Sequence, residues 1–150
     1  MPAPSNVAFI SGGTNDLAGG TAGATLYANT TSPLVSYLKS LGFKVVVATI
    51  LPRTGGSWDA AAEARRVDYN NAVRGNAATA DAVLDLTANP TMGNGNEGNA
   101  TLYPDGLHPS SLGYAYLAGA QSGIYAAPQT YLAALTTILR GTSLGGSYVP

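Results

Sequence analysis

The chain has 150 residues, enough for one domain with its own apolar core. Only 10% of them are charged and the net charge is −1, so there is no electrostatic footprint for nucleic acid or an anionic membrane. Cysteine is absent, which excludes disulfides, thiolate catalysis and cysteine-based zinc sites. The opening Met1-Pro2-Ala3-Pro4-Ser5-Asn6 lacks the basic and apolar blocks of a signal peptide. No apolar run reaches the length of a membrane span. The low-charge, Asn/Thr/Gly-rich composition is compatible with a secreted or virion-associated protein and leaves the compartment open.

Val7-Ala8-Phe9-Ile10 is a short continuous apolar run ending at Ser11-Gly12-Gly13. It reads as a strand buried on both faces and central in a parallel sheet. Thr14-Asn15-Asp16 lies just past its C-terminal end, where open α/β sheets carry their chemistry. Leu17 to Thr31, rich in Gly, Ala and Thr, is expected to be a loop with at most a short helical turn. Ser32-Pro33 predicts a helix start, with serine as N-cap and proline in the first turn. Leu34, Tyr37, Leu38 and Leu41 fall on one helical face, and Gly42 stops it.

Residues 43–51 (FKVVVATIL) predict a second buried strand, closed by Pro52. Ser57 is a candidate cap for a helix through Ala60, Ala64, Val67 and Val73 to about Gly75. A third, shorter strand is expected over Asp81 to Leu86. The Gly/Asn-rich stretch Asn89 to Asn99 reads as a mobile loop, either a plain connector or a flap over a site. Ser110 or Ser111 caps a helix carrying Leu112, Ala115, Tyr116, Ala120 and Ile124. Pro128 opens a last helix, with Tyr131, Leu132, Leu135, Ile138 and Leu139 on one face and Gly141 at its end. Residues 142–150 read as a flexible tail. The alternation predicts an α/β fold: a parallel sheet of about three strands flanked by helices.

The only histidine, His108, stands three residues after Asp105 in the turn Tyr103-Pro104-Asp105-Gly106-Leu107-His108-Pro109. A carboxylate beside an imidazole fixes its tautomer and steadies its charged form, so the pair suits proton transfer near neutral pH. In a parallel sheet this turn returns to the same end as Asn15, whose amide could stabilise an oxyanion. Thr14-Asn15-Asp16 is equally good turn and cap chemistry. Asn15, Asp16, Asp105 and His108 are all potential metal ligands, but one histidine without cysteine argues against a catalytic metal. Tyr103, Tyr114, Tyr116 and Trp58 fit either an aromatic sugar subsite or core-to-surface packing.

Gly13-Thr14-Asn15-Asp16 after an apolar strand, with Asp105-Gly106-Leu107-His108-Pro109 before a C-terminal helix, resembles the G-x-N-D and D-x-x-H-P blocks of the SGNH (GDSL-type) hydrolase family. The resemblance runs from Val7 to about Ala120. It implies a partial flavodoxin-like, three-layer fold and a Ser-His-Asp type ester hydrolase that needs no cofactor. By that likeness His108 is the general base, Asp105 orients it, Asn15 donates to the oxyanion and Gly13 shapes the turn. The substrate would be a small ester or an acylated carbohydrate.

The family's Gly-Asp-Ser block, which carries the nucleophile, is missing from this sequence. Residues 1–150 therefore resemble a single family domain without its first two βα units. Ser11 is a weak internal candidate for the nucleophile, whereas Ser57, Ser110 and Ser111 are better explained as caps. The expectation is an esterase, truncated or completed by another chain, with homo-oligomerisation through the uncovered first strand (residues 6–11). The alternative is an inactive SGNH-like binding or self-associating module.

Overall fold

The computed structural model describes residues 6–118. Three parallel strands, β1 (Val7–Ile10), β2 (Lys44–Ala48) and β3 (Ala82–Leu84), form one sheet in the order β1-β2-β3. Val7 pairs with Lys44 and Ile10 with Val47, while Val46 pairs with Ala82 and Ala48 with Leu84. Side chains alternate across β2. Val45 and Val47 enter one core, whereas Val46 and Ala48 enter the other. Both faces of β2 are thus covered, which explains its unbroken Val run. The described chain is the α/β, three-layer, partial flavodoxin-like arrangement expected.

The first core lies under α1 (Thr14–Ala18), α2 (Gly23–Leu26), α3 (Ser32–Ser40) and α4 (Ala60–Gly75). It gathers Leu17, Leu26, Tyr27, Val35, Tyr69 and Val73 against the sheet. The second core holds Leu84, Leu86, Met92, Leu102, Tyr103 and Leu117, the last from α5 (Ser111–Ala118).

Several expectations are corrected. β1 is an edge strand of the described sheet and only partly buried, with Phe9 46% exposed. The central place belongs to β2, which alone has a strand on each side. The stretch expected as a loop is largely helical: α1, then α2 continuing through a π-helical turn at Tyr27–Thr31 into α3. Ser32 is therefore helical and not an N-cap. The π turn sits just ahead of Pro33, and widening the helix there relieves the clash a proline makes with the preceding turn. The extra residue also rotates the α3 side chains about the helix axis. Val35 becomes fully buried, while Leu34, Tyr37 and Leu41 of the predicted face are 40–60% exposed.

Asp59, not Ser57, caps α4, accepting the Ala62 N–H at 2.7 Å. The inward face of α4 is Ala62, Arg66, Tyr69, Asn70 and Val73, with Ala60, Ala64 and Val67 exposed. An apolar count misses this face because two of its members are polar and satisfied. Strand β2 ends before Ile50, so α4 supplies the bonds that a neighbouring strand would. Asn70 accepts the Ile50 N–H at 2.7 Å and donates to the Ile50 carbonyl at 2.9 Å, which Arg66 also reaches at 2.9 Å.

The Gly/Asn-rich stretch is also a correction, since it is packed. Met92 is fully buried, and Asn89 Oδ1 accepts the Thr91 and Met92 N–H groups at 3.0 and 2.9 Å. Arg66 donates to Asn94 Oδ1 at 3.0 Å, and the buried Tyr103 hydroxyl donates to the Met92 carbonyl at 2.5 Å. Asparagine here replaces a ladder with side-chain-to-backbone turns. As expected, Ser110 caps α5: its Oγ accepts the Gly113 N–H at 3.1 Å. Ala120 and Ile124 of that helix, the Pro128 helix with Tyr131, Leu132, Leu135, Ile138, Leu139 and Gly141, and the 142–150 tail lie outside the described residues.

Candidate active site

The two motifs meet beyond the C-terminal ends of β1 and β3. Between them lies a cleft of about 270 Å³ whose lining includes Ser11, Asn15, Thr49, Leu107, His108 and Tyr114. Its apolar wall is made by Ile50, Leu51, Leu86 and Leu117. Segments far apart in the chain contribute this wall, so no single stretch of sequence announces it.

Gly13 has φ 103°, and a Cβ there would lie 2.8 Å from Leu26 Cδ2. The left-handed backbone lets the chain leave β1 and enter α1 in one residue. The Gly13 carbonyl accepts the Leu17 N–H at 3.0 Å, and the fully buried Leu17 fastens α1 to the first core. Asn15 is left exposed on the cleft side. Asp16 instead lines a neighbouring groove with Leu26, Leu34 and Leu38. Among the described residues no three His, Cys, Asp or Glu side chains converge into a metal-binding group.

The Asp105–His108 turn is organised by the carboxylate itself. Asp105 Oδ1 accepts the Leu107 and His108 N–H groups at 2.9 and 2.7 Å. Asp105 Oδ2 lies 2.6 Å from His108 Nδ1. With the proton on Nδ1, the imidazole donates to Asp105 and leaves the Nε2 lone pair available as a base. The bond from the His108 ring, followed by the two backbone bonds, holds the Asp105 carboxyl well below the usual carboxylate range. Asp105 stays ionised wherever a histidine base would operate.

Ser11 shares this cleft, but no hydrogen bond links it to His108 among the described residues. Ser110 is committed to its cap and to the Thr101 carbonyl at 2.8 Å. Of the four aromatic candidates, Tyr114 lines the cleft, Tyr103 is core, Tyr116 packs against the second core, and Trp58 lies beneath Arg53.

Two buried residues near the site were not anticipated. Thr49 donates to Asp85 Oδ1 at 3.0 Å and anchors the cleft floor. Arg53 is only 7% exposed, with its guanidinium 4.6 Å from the Trp58 ring centroid. Burial lowers the proton affinity of Arg53, and the charge of Asp105 opposes that shift. A cation directly after Leu51-Pro52, in a chain so poor in charge, was the available signal.

Comparison with curated proteins returns no match. Comparison with protein families returns one over residues 2–116, which contains both motifs and all three strands. By that match, over more than half of its length, the chain belongs to the GDSL-like Lipase/Acylhydrolase family.

Proposed function

We propose that this chain carries the acid–base and oxyanion elements of an SGNH-type ester hydrolase. The observation that carries the reading is the 2.6 Å Asp105–His108 bond at a cleft that Asn15 also lines. In this reading His108 Nε2 removes a proton from an attacking hydroxyl and returns it to the leaving alcohol. Asp105 fixes the ring and stabilises the imidazolium, and the Asn15 amide donates to the tetrahedral oxyanion. The Gly13 turn sets the position of Asn15. The substrate is a small ester or an acylated carbohydrate, with its apolar part against Ile50, Leu51 and Leu117.

Within residues 1–150 Ser11 is the internal candidate for the nucleophile; the other source is a serine from outside these residues, as on a completing chain. Triad members act as a unit, so His108 without a serine retains little hydrolysis. The position of β1 at the sheet edge, sharing a groove with the exposed Leu34 of α3, supports association of copies through residues 6–11.

The test is hydrolysis of a short-chain aryl ester together with fluorophosphonate labelling. Turnover should disappear in His108→Ala, and a single serine should be labelled. A label on Ser11 makes the chain self-sufficient; a label on a co-purified chain identifies the donor. Background turnover insensitive to His108→Ala, with no label, sinks the hydrolase reading. That result would favour the second one, an inactive SGNH-like binding or self-associating module, for which the missing Gly-Asp-Ser block speaks.

A further inference from the structure

Arg53 belongs to neither motif, yet it touches the supports of both. Its Nη1 donates to Thr14 Oγ1 at 3.1 Å, in the helical turn that carries Asn15. Its Nε and Nη2 donate to the Gly55 carbonyl at 3.3 and 3.0 Å. Gly55 in turn meets the Asp105–His108 turn. The Thr54 and Gly55 N–H groups both donate to the Gly106 carbonyl, at 2.8 and 2.9 Å. The approach leaves no room for side chains, since a Cβ on Gly55 would lie 2.1 Å from the Asp105 carbonyl oxygen.

We propose that Arg53 is a positioning residue that fixes the distance between the Asn15 helix and the Asp105–His108 turn, acting through Thr14 on one side and Gly55–Gly106 on the other. The geometry makes the case. The Asn15 helix is fastened by Leu17 in the first core, whereas Asp105 and His108, 54% and 72% exposed at the side chain, hang from Leu102 and Tyr103 in the second. Without a bridge, the two would be held to each other only through separate cores, Leu17 in the first and Leu102 and Tyr103 in the second.

Arg53 supplies that bridge with a planar fork whose two ends point to different partners, a geometry a lysine cannot reproduce. Trp58 stacks beneath the fork and in turn donates from Nε1 to Glu63 at 3.1 Å, which fixes the plane. Among the described residues no ion pair joins Arg53 to Asp105, so the bridge works through hydrogen bonds to the loop.

The catalytic consequence rests on the hydrolase reading; the mechanical one does not. The decisive measurement is amide hydrogen exchange on the full chain, comparing native protein with Arg53→Gln, Arg53→Lys and Thr14→Val. Arg53→Gln should speed exchange at Thr54, Gly55, Leu107 and His108 by about tenfold, while Val45, Val46 and Val47 in β2 change by less than about twofold. Arg53→Lys should not rescue it, and Thr14→Val should give a smaller effect at the same amides. If Arg53→Gln fails to fold, the other two variants decide. Uniform acceleration, no change at the four amides, or full rescue by lysine each overturns the proposal. Should the native chain turn over ester, Arg53→Lys should lower kcat with KM nearly unchanged. Absence of native turnover with the exchange pattern intact counts against the hydrolase alone.

Discussion

Two stretches of this protein share a composition and differ in everything else. Residues 89–99 and residues 104–109 are both rich in Gly, Pro, Asn or Asp, and neither offers a run of apolar side chains. The first is wrapped around Met92, which is fully buried, and is closed by Asn89, Asn94 and the Tyr103 hydroxyl. The second has no buried anchor. It is ordered by one carboxylate that accepts two backbone N–H groups and faces the imidazole. Turn-forming composition says how the backbone bends; a single inserted side chain decides whether the loop belongs to the core. One stretch serves stability, and the other keeps its polar atoms available.

If this contrast holds, the largest stability loss should come from the first stretch. Met92→Ala should cost about 2–5 kcal/mol in urea unfolding, because it opens a cavity between Leu84, Leu102 and Tyr103. A loss under about 1 kcal/mol would mean that the 89–99 loop is not part of the core.

A smaller effect is expected at the hinge between β3 and that loop. Burial alone would raise the Asp85 pKa. Bonds from Arg74, Thr87 and Thr49, with the Arg74 charge, outweigh it and hold the carboxyl at about 2. An unfolded aspartate titrates near about 3.9, so the folded state binds the proton less readily. The stabilisation is therefore complete above about pH 4 and is lost as pH falls through about 2. With a third of the side chain exposed, solvent screening reduces it to about 1–2 kcal/mol. Asp85→Asn should lose that amount at pH 7, with the difference shrinking to a small fraction of it by pH 2, which urea titrations at the two values would check.

The smallest stability effect is expected at the exposed turn. His108→Ala should change unfolding free energy by under about 0.5 kcal/mol, since no core contact is removed. A loss above about 1 kcal/mol would erase the contrast, making the Asp–His pair a structural tie.

The range of each interaction explains why some of this was readable in advance. The Val run of β2 and the cap at Ser110 are local, set by neighbours in the chain, and the structure keeps them. Gly13 and the Asp105-to-His108 spacing are local as well, which is why both halves of the candidate site could be named. Apart from the local cap at Asp59, the main failures involve partners distant in sequence. The face of α4 could not be read from apolar spacing, because Arg66 and Asn70 are buried to satisfy Ile50, about twenty residues away. The inward turn of Val35 depends on a π turn whose cost only tertiary packing can offset.

The sequence by itself determined the α/β class, the parallel sheet and the family resemblance, and named Asn15, Asp105 and His108 as candidates, since each rests on short-range pattern. Tertiary structure alone decided that β1 lies at the edge and β2 at the centre of the described sheet. It also decided that the Asn-rich loop is packed around Met92 and that Arg53 bonds Thr14 on one side and the Gly55 carbonyl on the other. These depend on which buried polar groups find partners across the fold, and a buried donor or acceptor must be satisfied by whatever the packing brings within reach.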